Sequence, residues 1–128
     1  MKRFIVALTL AAVLASAGVA AREKPKWKLL SSGWKIFSYS QYSEVRWCAV
    51  MVRFRNDTGK KVDWVTIEGS IFERGVKIRT ITGTATKLQP GDVVEVQMEP
   101  AVAMDKTEKV RERYAYRIDE WRWQESQN

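Results

Sequence analysis

A chain of 128 residues has room for one domain of ordinary size, and its 22 Lys and Arg against 15 Asp and Glu give a formal net charge of +7. With no histidine, it is excluded from Ser-His and Cys-His nucleophilic pairs, from histidine-ligated zinc or copper and from the commonest general base. The single cysteine, Cys48, excludes an intrachain disulfide. Stability must come from a core, for which six tryptophans and 45% apolar residues supply the surface.

Met1-Lys2-Arg3 is a short positive stretch, Phe4 to Ala15 is apolar, and Ala15 to Ala21 is rich in small residues with cleavage points after Ala20 or Ala21. This order predicts a secretory signal peptide over 1–21. An uncleaved anchor is the competing reading, because Phe4 to Ala21 is uncharged and just long enough to span a bilayer. The Ala/Gly/Ser-rich end suits a peptidase groove better than a packed membrane helix. The expected location is the bacterial periplasm or the medium, with membrane contact only through an uncleaved signal segment. A basic surface there meets anionic envelope polymers, phospholipid headgroups or acidic proteins rather than nucleic acid.

Arg22 to Gly33, charged and containing Pro25, reads as an N-terminal leader, with Ser31-Ser32-Gly33 as a turn signal. Trp34 to Tyr39 alternates aromatic and β-branched residues and predicts a first strand. Val45 to Arg55 is the clearest strand: Cys48, Val50, Val52 and Phe54 share a core face, while Val45, Trp47, Ala49, Met51, Arg53 and Arg55 point outward. Asn56-Asp57-Thr58-Gly59 follows as a turn, a reading preferred to the glycosylation acceptor it also spells.

Val62 to Phe72 predicts a strand with Val65, Ile67, Gly69 and Ile71 inward and Trp64, Thr66, Glu68, Ser70 and Phe72 outward. Gly69 leaves a notch in the core row, expected to receive a tryptophan from the facing sheet. Glu73-Arg74-Gly75 turns the chain into a Thr/Ile/Val-rich strand from Val76 to Leu88, in which Gly83 is expected to bend or bulge the ladder. Leu88-Gln89-Pro90-Gly91 is a turn ahead of a strand from Val93 to Met98, with Val94, Val96 and Met98 on one face.

Pro100 to Thr107 reads as a connection. The stretch 106–123 carries two patterns: a helical stripe at Val110, Tyr114, Ile118 and Trp121, and an alternation of Tyr114, Tyr116 and Ile118 with Ala115, Arg117 and Asp119. A short helical turn near Lys106 to Glu112 followed by a strand from about Tyr114 to Trp123 reconciles them and gives the core a second layer. The whole is expected to be all-β, an immunoglobulin-like β-sandwich of six to seven strands over 34–124, with a tail over 125–128.

Val50/Val52/Phe54/Asn56, Thr58-Gly59, the triplet Ile71-Phe72-Glu73 before Gly75, and Leu88-Gln89-Pro90-Gly91 resemble the small bacterial immunoglobulin-like domains called FxLYD-type. The likeness covers roughly Val45 to Met98, and Gly69 stands where the signature has Phe. It implies a sandwich of two sheets without a common active site, so function has to be argued separately.

Among candidates for chemistry, Cys48 falls mid-strand on the core face, where a thiol is inert packing. The carboxylate pairs Asp119-Glu120, Glu108/Glu112 and Asp92/Glu95 lie in charge-mixed surface stretches, and Asn56-Asp57 is a single turn rather than a spaced acidic loop. No catalytic residue, cofactor or metal site is expected, and the chain reads as a non-enzyme. Trp47, Trp64, Trp121 and Trp123, placed outward by alternation, with Arg53, Arg55 and Arg122 nearby, are the expected binding residues. The expected role is a protein-binding or assembly module whose partner is another envelope protein, engaged through a sheet edge or this aromatic-basic surface. An anionic-glycan or cell-wall-binding module is the alternative.

Overall fold

The computed structural model describes residues 26–37 and 44–127; the signal peptide expected over 1–21 lies outside them. Among these described residues, seven strands and one short helix follow in the order β1 (Trp27–Phe37), β2 (Val45–Asn56), β3 (Val62–Glu73), β4 (Val76–Leu88), β5 (Val93–Gln97), β6 (Val102–Asp105), α1 (Val110–Arg113) and β7 (Tyr114–Glu125). Two antiparallel sheets form a β-sandwich. In the first, β2 lies between β1 and the pair β5 and β6, which run end to end along its other side. In the second, β3 lies between β4 and β7. The pairs β2–β5 and β3–β7 join, within each sheet, strands that are not consecutive in sequence, so the chain crosses from one sheet to the other after β2, β4 and β6, as in immunoglobulin-like sandwiches.

The alternation in β2 and β3 sets the register. Cys48, Val50, Val52 and Phe54 of β2 face Val65, Ile67 and Ile71 of β3 across the interior, all buried, and Val94 and Val96 of β5 pack against them. Turn chemistry works as the sequence requires. Arg74 and Gly75 both take positive φ (53° and 78°) in the two-residue β3–β4 hairpin, a backbone that glycine adopts without the steric cost of a Cβ. Asn56 is buried, donates to the carbonyls of Lys60 (2.9 Å) and Gln89 (3.1 Å), and accepts from the Thr58 amide and hydroxyl. It ties two turns together and has no free amide to carry a glycan.

Several expectations need correction. The first strand starts at Trp27, so most of the stretch read as a leader is sheet, and Ser31-Ser32-Gly33 is strand paired with Arg53, Val52 and Met51. An extra residue between Leu29 and Ser31 breaks the alternation there and hides the strand from a period-two reading. The Pro100 to Thr107 connection contains β6. Gly69 receives no tryptophan; a Cβ there would stand 2.6 Å from the Arg117 carbonyl, so the glycine lets the β7 backbone approach. The bulge in β4 falls at its N-terminal end, between the pairs Ile71–Arg79 and Phe72–Lys77. Gly83 instead makes room for Met98 and Val96, and next to it Thr82 and Glu99 exchange two backbone hydrogen bonds of 2.8 Å that join the sheets.

The C-terminal expectation stands nearly as drawn, with a one-turn helix leading into β7. Trp27 enters the core from β1, stacked on Trp121 with centroids 6.0 Å apart and edge-on to Phe54 and Trp123. Farther along β1, Trp34 meets Tyr116 edge to face, and Ser32 shares a 2.8 Å hydrogen bond with the Tyr116 hydroxyl. One side of the sandwich is thus an aromatic seam between β1 and β7.

Candidate functional site

The seven residues expected to bind fall into three environments. Trp121 and Trp123 turn inward and are partly buried against the core. Their cross-strand partners are Ile67 and Val65, both fully buried, and their rings pack on Trp27, with Trp121 also edge-on to Phe54 at 5.1 Å. The cause is a bulge: Glu68 pairs with Glu120 and Gly69 with Ile118, which leaves Asp119 as an extra residue. One extra residue reverses the facing of everything beyond it.

Trp47 and Arg53 do lie on the outer face of the first sheet. Trp47 is half-buried opposite Phe37 and Ala103, beside a shallow groove of about 330 Å³ that also includes Gln97, Glu99 and Pro100. Arg53 is exposed, between Ser31 and Glu95. Arg55 is held by Asp57 in a bidentate pair of 2.5 and 2.9 Å. Trp64 and Arg122 lie on the outer face of the second sheet, on the opposite side of the sandwich. There Trp64 is 39% exposed between Thr86 and Gln124, and Arg122 bridges Glu68 and Glu120. The expected aromatic-basic surface is therefore two separate pairs and a turn rather than one site.

The carboxylates have structural partners. Asp119 accepts from Ser70 at 2.5 Å and from Arg117, Glu120 pairs with Arg122, Glu108 and Glu73 hold Arg113 at 2.9 Å each, and Asp92 accepts the Gln89 amide. Burial pushes the Asp119 carboxyl up, but the Ser70 hydroxyl and the Arg117 guanidinium outweigh it and hold it below the usual carboxylate range. A folded value below the unfolded one adds stability above the unfolded value and loses it as pH falls through the folded value. Ser70→Ala should therefore destabilise more at pH 7 than at an acid pH low enough to protonate Asp119 in the folded chain as well. Denaturant melts of both proteins at the two pH values check this; an equal difference at each would separate Ser70 from Asp119.

Cys48 lies against Met104, sulfur to sulfur 3.6 Å, in the core. Burial pushes its thiol up, with Arg46 pulling the other way. A buried, protonated thiol reacts slowly. Iodoacetamide should leave the native chain unlabelled over a time in which the denatured chain labels fully, as mass spectrometry would read; rapid native labelling would place the thiol elsewhere. Among the described residues, no three His, Cys, Asp or Glu side chains lie together so as to hold a metal ion.

The feature that alternation reached only in part is β1, whose residues 34–37 fall in the expected first strand while Trp27 to Gly33 do not. It pairs with β2 on one side, and among the described residues no strand pairs its far side. Every second residue of an edge strand turns its backbone N–H and C=O away from the sheet. Along β1, Leu29, Leu30 and Ile36 are 44%, 39% and 51% exposed. Near its C-terminal end, Trp34, Ile36 and the buried Val110 line a groove of about 530 Å³ rimmed by Arg46, Lys109 and Arg111 on one hand and Glu108 and Glu112 on the other. The signal was in the sequence as Trp27, Leu29, Leu30 and Trp34, but the Leu30 bulge and the Ser-Ser-Gly run concealed it. The other long edges are differently furnished: β7 carries Arg117, Asp119, Glu120 and Arg122, and β4 is bridged to Glu99.

Comparison with known protein families, with characterised proteins and with solved structures finds no match to this chain.

Proposed function

We propose that this chain is an exported, non-enzymatic binding module of the bacterial envelope that engages another protein along β1. The observation that carries the reading is the 11-residue edge strand whose far side is unpaired among the described residues and on which Leu29, Leu30 and Ile36 stand exposed. Such an edge offers main-chain hydrogen bonds to an extended partner segment, with apolar side chains to select it. Kinship with FxLYD-type domains belongs to the same proposal, supported by the two crossover pairings.

Parallel capture from soluble envelope proteins and from insoluble wall polymer tests the reading. An envelope protein should be retained by the wild type and by Trp64→Ala, and lost with the double change Leu30→Asp and Ile36→Asp, whose melting should stay close to wild type because both side chains are surface-exposed. Retention by the double variant overturns it.

The second reading is an anionic-glycan or wall-binding module on the outer face of the second sheet. The exposed Trp64 ring, flanked by Thr86, Gln124 and Thr66, has the form of a sugar-stacking platform. Arg122, the cation of that face, is already engaged by two carboxylates, which weakens its use for an acidic sugar. Loss of wall-polymer retention in Trp64→Ala alone would favour this reading.

Export is part of the proposal. Intact-mass measurement of material recovered outside the cytoplasm should give a chain starting at Ala21 or Arg22; recovery of the full-length mass in the membrane fraction would favour the anchor.

A further inference from the structure

We infer that the segment bound along β1 is an extended stretch of alternating apolar and acidic residues, one of whose apolar side chains enters the groove between β1 and α1. This rests on the reading that β1 is the binding edge.

The two faces of β1 differ in what they ask of an added strand. Trp34 and Ile36, which pair with Val50 and Cys48, belong to the interior-facing row of the first sheet. Ile36 nevertheless remains half exposed, because it overhangs the opening where the sandwich interior reaches the surface beside Val110. An added strand places every second side chain on this same side. An apolar residue beside Ile36 would cover the exposed part of that side chain and sit in the roughly 530 Å³ groove lined by Trp34, Ile36 and Val110.

On the outward row, Lys28 pairs with Arg55 and Lys35 with Ala49. Every charged side chain of β1 is a lysine. Neither Lys35 nor the groove's Arg46 and Arg111 forms an ion pair with another described residue. Carboxylates at alternate positions of the added strand would stand beside Lys28 and Lys35, as opposite charges do across a sheet.

Lysines on an edge also guard it against pairing with a second copy, since two lysine-bearing strands would set like charges side by side. That role accounts for the lysines but leaves the leucines and isoleucine exposed. An acidic-apolar partner accounts for both, and the charge that admits it turns away another copy of this basic chain.

The test uses synthetic nine-residue peptides alternating Val with Glu, Val with Lys, and a block arrangement of the Val–Glu composition, titrated into the isotope-labelled chain and followed by amide shifts. The alternating Val–Glu peptide should shift and protect amides of 27–37, weaken with added salt, and bind about tenfold more tightly than the Val–Lys peptide, the effect expected of two reversed cross-strand charge pairs. Lys28→Glu with Lys35→Glu should reverse that preference while leaving melting near wild type. Equal binding of the two alternating peptides, binding of the block peptide as well as the alternating one, or no binding overturns the inference. If none of the peptides binds while a captured envelope protein still protects 27–37, the partner's chemistry is wrong and the β1 edge stands. Protection of other residues by that protein overturns both.

Discussion

Phe54→Ala should lower the unfolding free energy by about 3–5 kcal/mol, the range for an aromatic side chain removed from a packed interior. Phe54 is fully buried midway between the sheets, edge-on to Trp27 at 5.6 Å and to Trp121 at 5.1 Å. Its loss removes the transfer energy of the ring and leaves a void that rigid indole neighbours fill poorly. Phe54→Leu, which keeps much of the volume, should be milder. Denaturant melts read both. A midpoint for Phe54→Ala close to wild type would mean that the register of β2 is wrong, since a one-residue shift would move this side chain to the outer face.

Trp121→Ala should destabilise by about 2–4 kcal/mol, less than a wholly enclosed tryptophan because one side of the ring still meets solvent. The ring stacks on Trp27 with an interplanar angle of 9° and joins Phe54, so its removal disturbs three aromatics at once. Trp64→Ala is the control: its ring lies on the outer face and 39% of the residue is exposed, and a surface change of this kind should stay within roughly 1 kcal/mol of wild type. Melting both variants against wild type separates core from surface. Equal effects would contradict the parity reversal at Asp119.

That reversal shows where sequence reading reaches and where it stops. Alternation places a side chain on one face or the other only while the ladder is regular. In β2 and β3 it is regular through the core rows, and Val50, Val52, Phe54, Val65 and Ile67 lie where the pattern put them. In β7 one added residue, Asp119, turns two tryptophans from the outer face to the inner one, where they pack partly buried against the core. Nothing in Ile118-Asp119-Glu120 marks a bulge without knowing that Gly69 lies opposite and lets the β7 backbone approach. The glycine was visible as a notch; what fills it depends on pairing between residues far apart in sequence.

The candidate site was less legible than the fold for a related reason. Trp47, Trp64 and the arginines are visible as residue types, but their grouping into one surface assumed a shared face, and the sandwich divides them between opposite sides. The β1 edge was obscured twice, by the bulge at Leu30 and by a Ser-Ser-Gly run that carries turn chemistry yet pairs with Arg53, Val52 and Met51. A sheet edge is in any case a property of what does not pair, which local pattern cannot report. Val102 to Asp105 was missed because four residues are too few for alternation to stand out, and the strand is fixed by its pairing with Val45 to Cys48.

Amide hydrogen exchange of the chain alone and in complex with an envelope protein it captures tests the central claim most directly. An added strand engages the outward N–H groups of β1 in new hydrogen bonds, so exchange should slow over residues 27–37, with smaller changes at Val110 to Arg113 beside the groove, and remain as before around Trp64 and Arg122. Unchanged exchange across β1, with protection on the outer face of either sheet instead, would contradict the account.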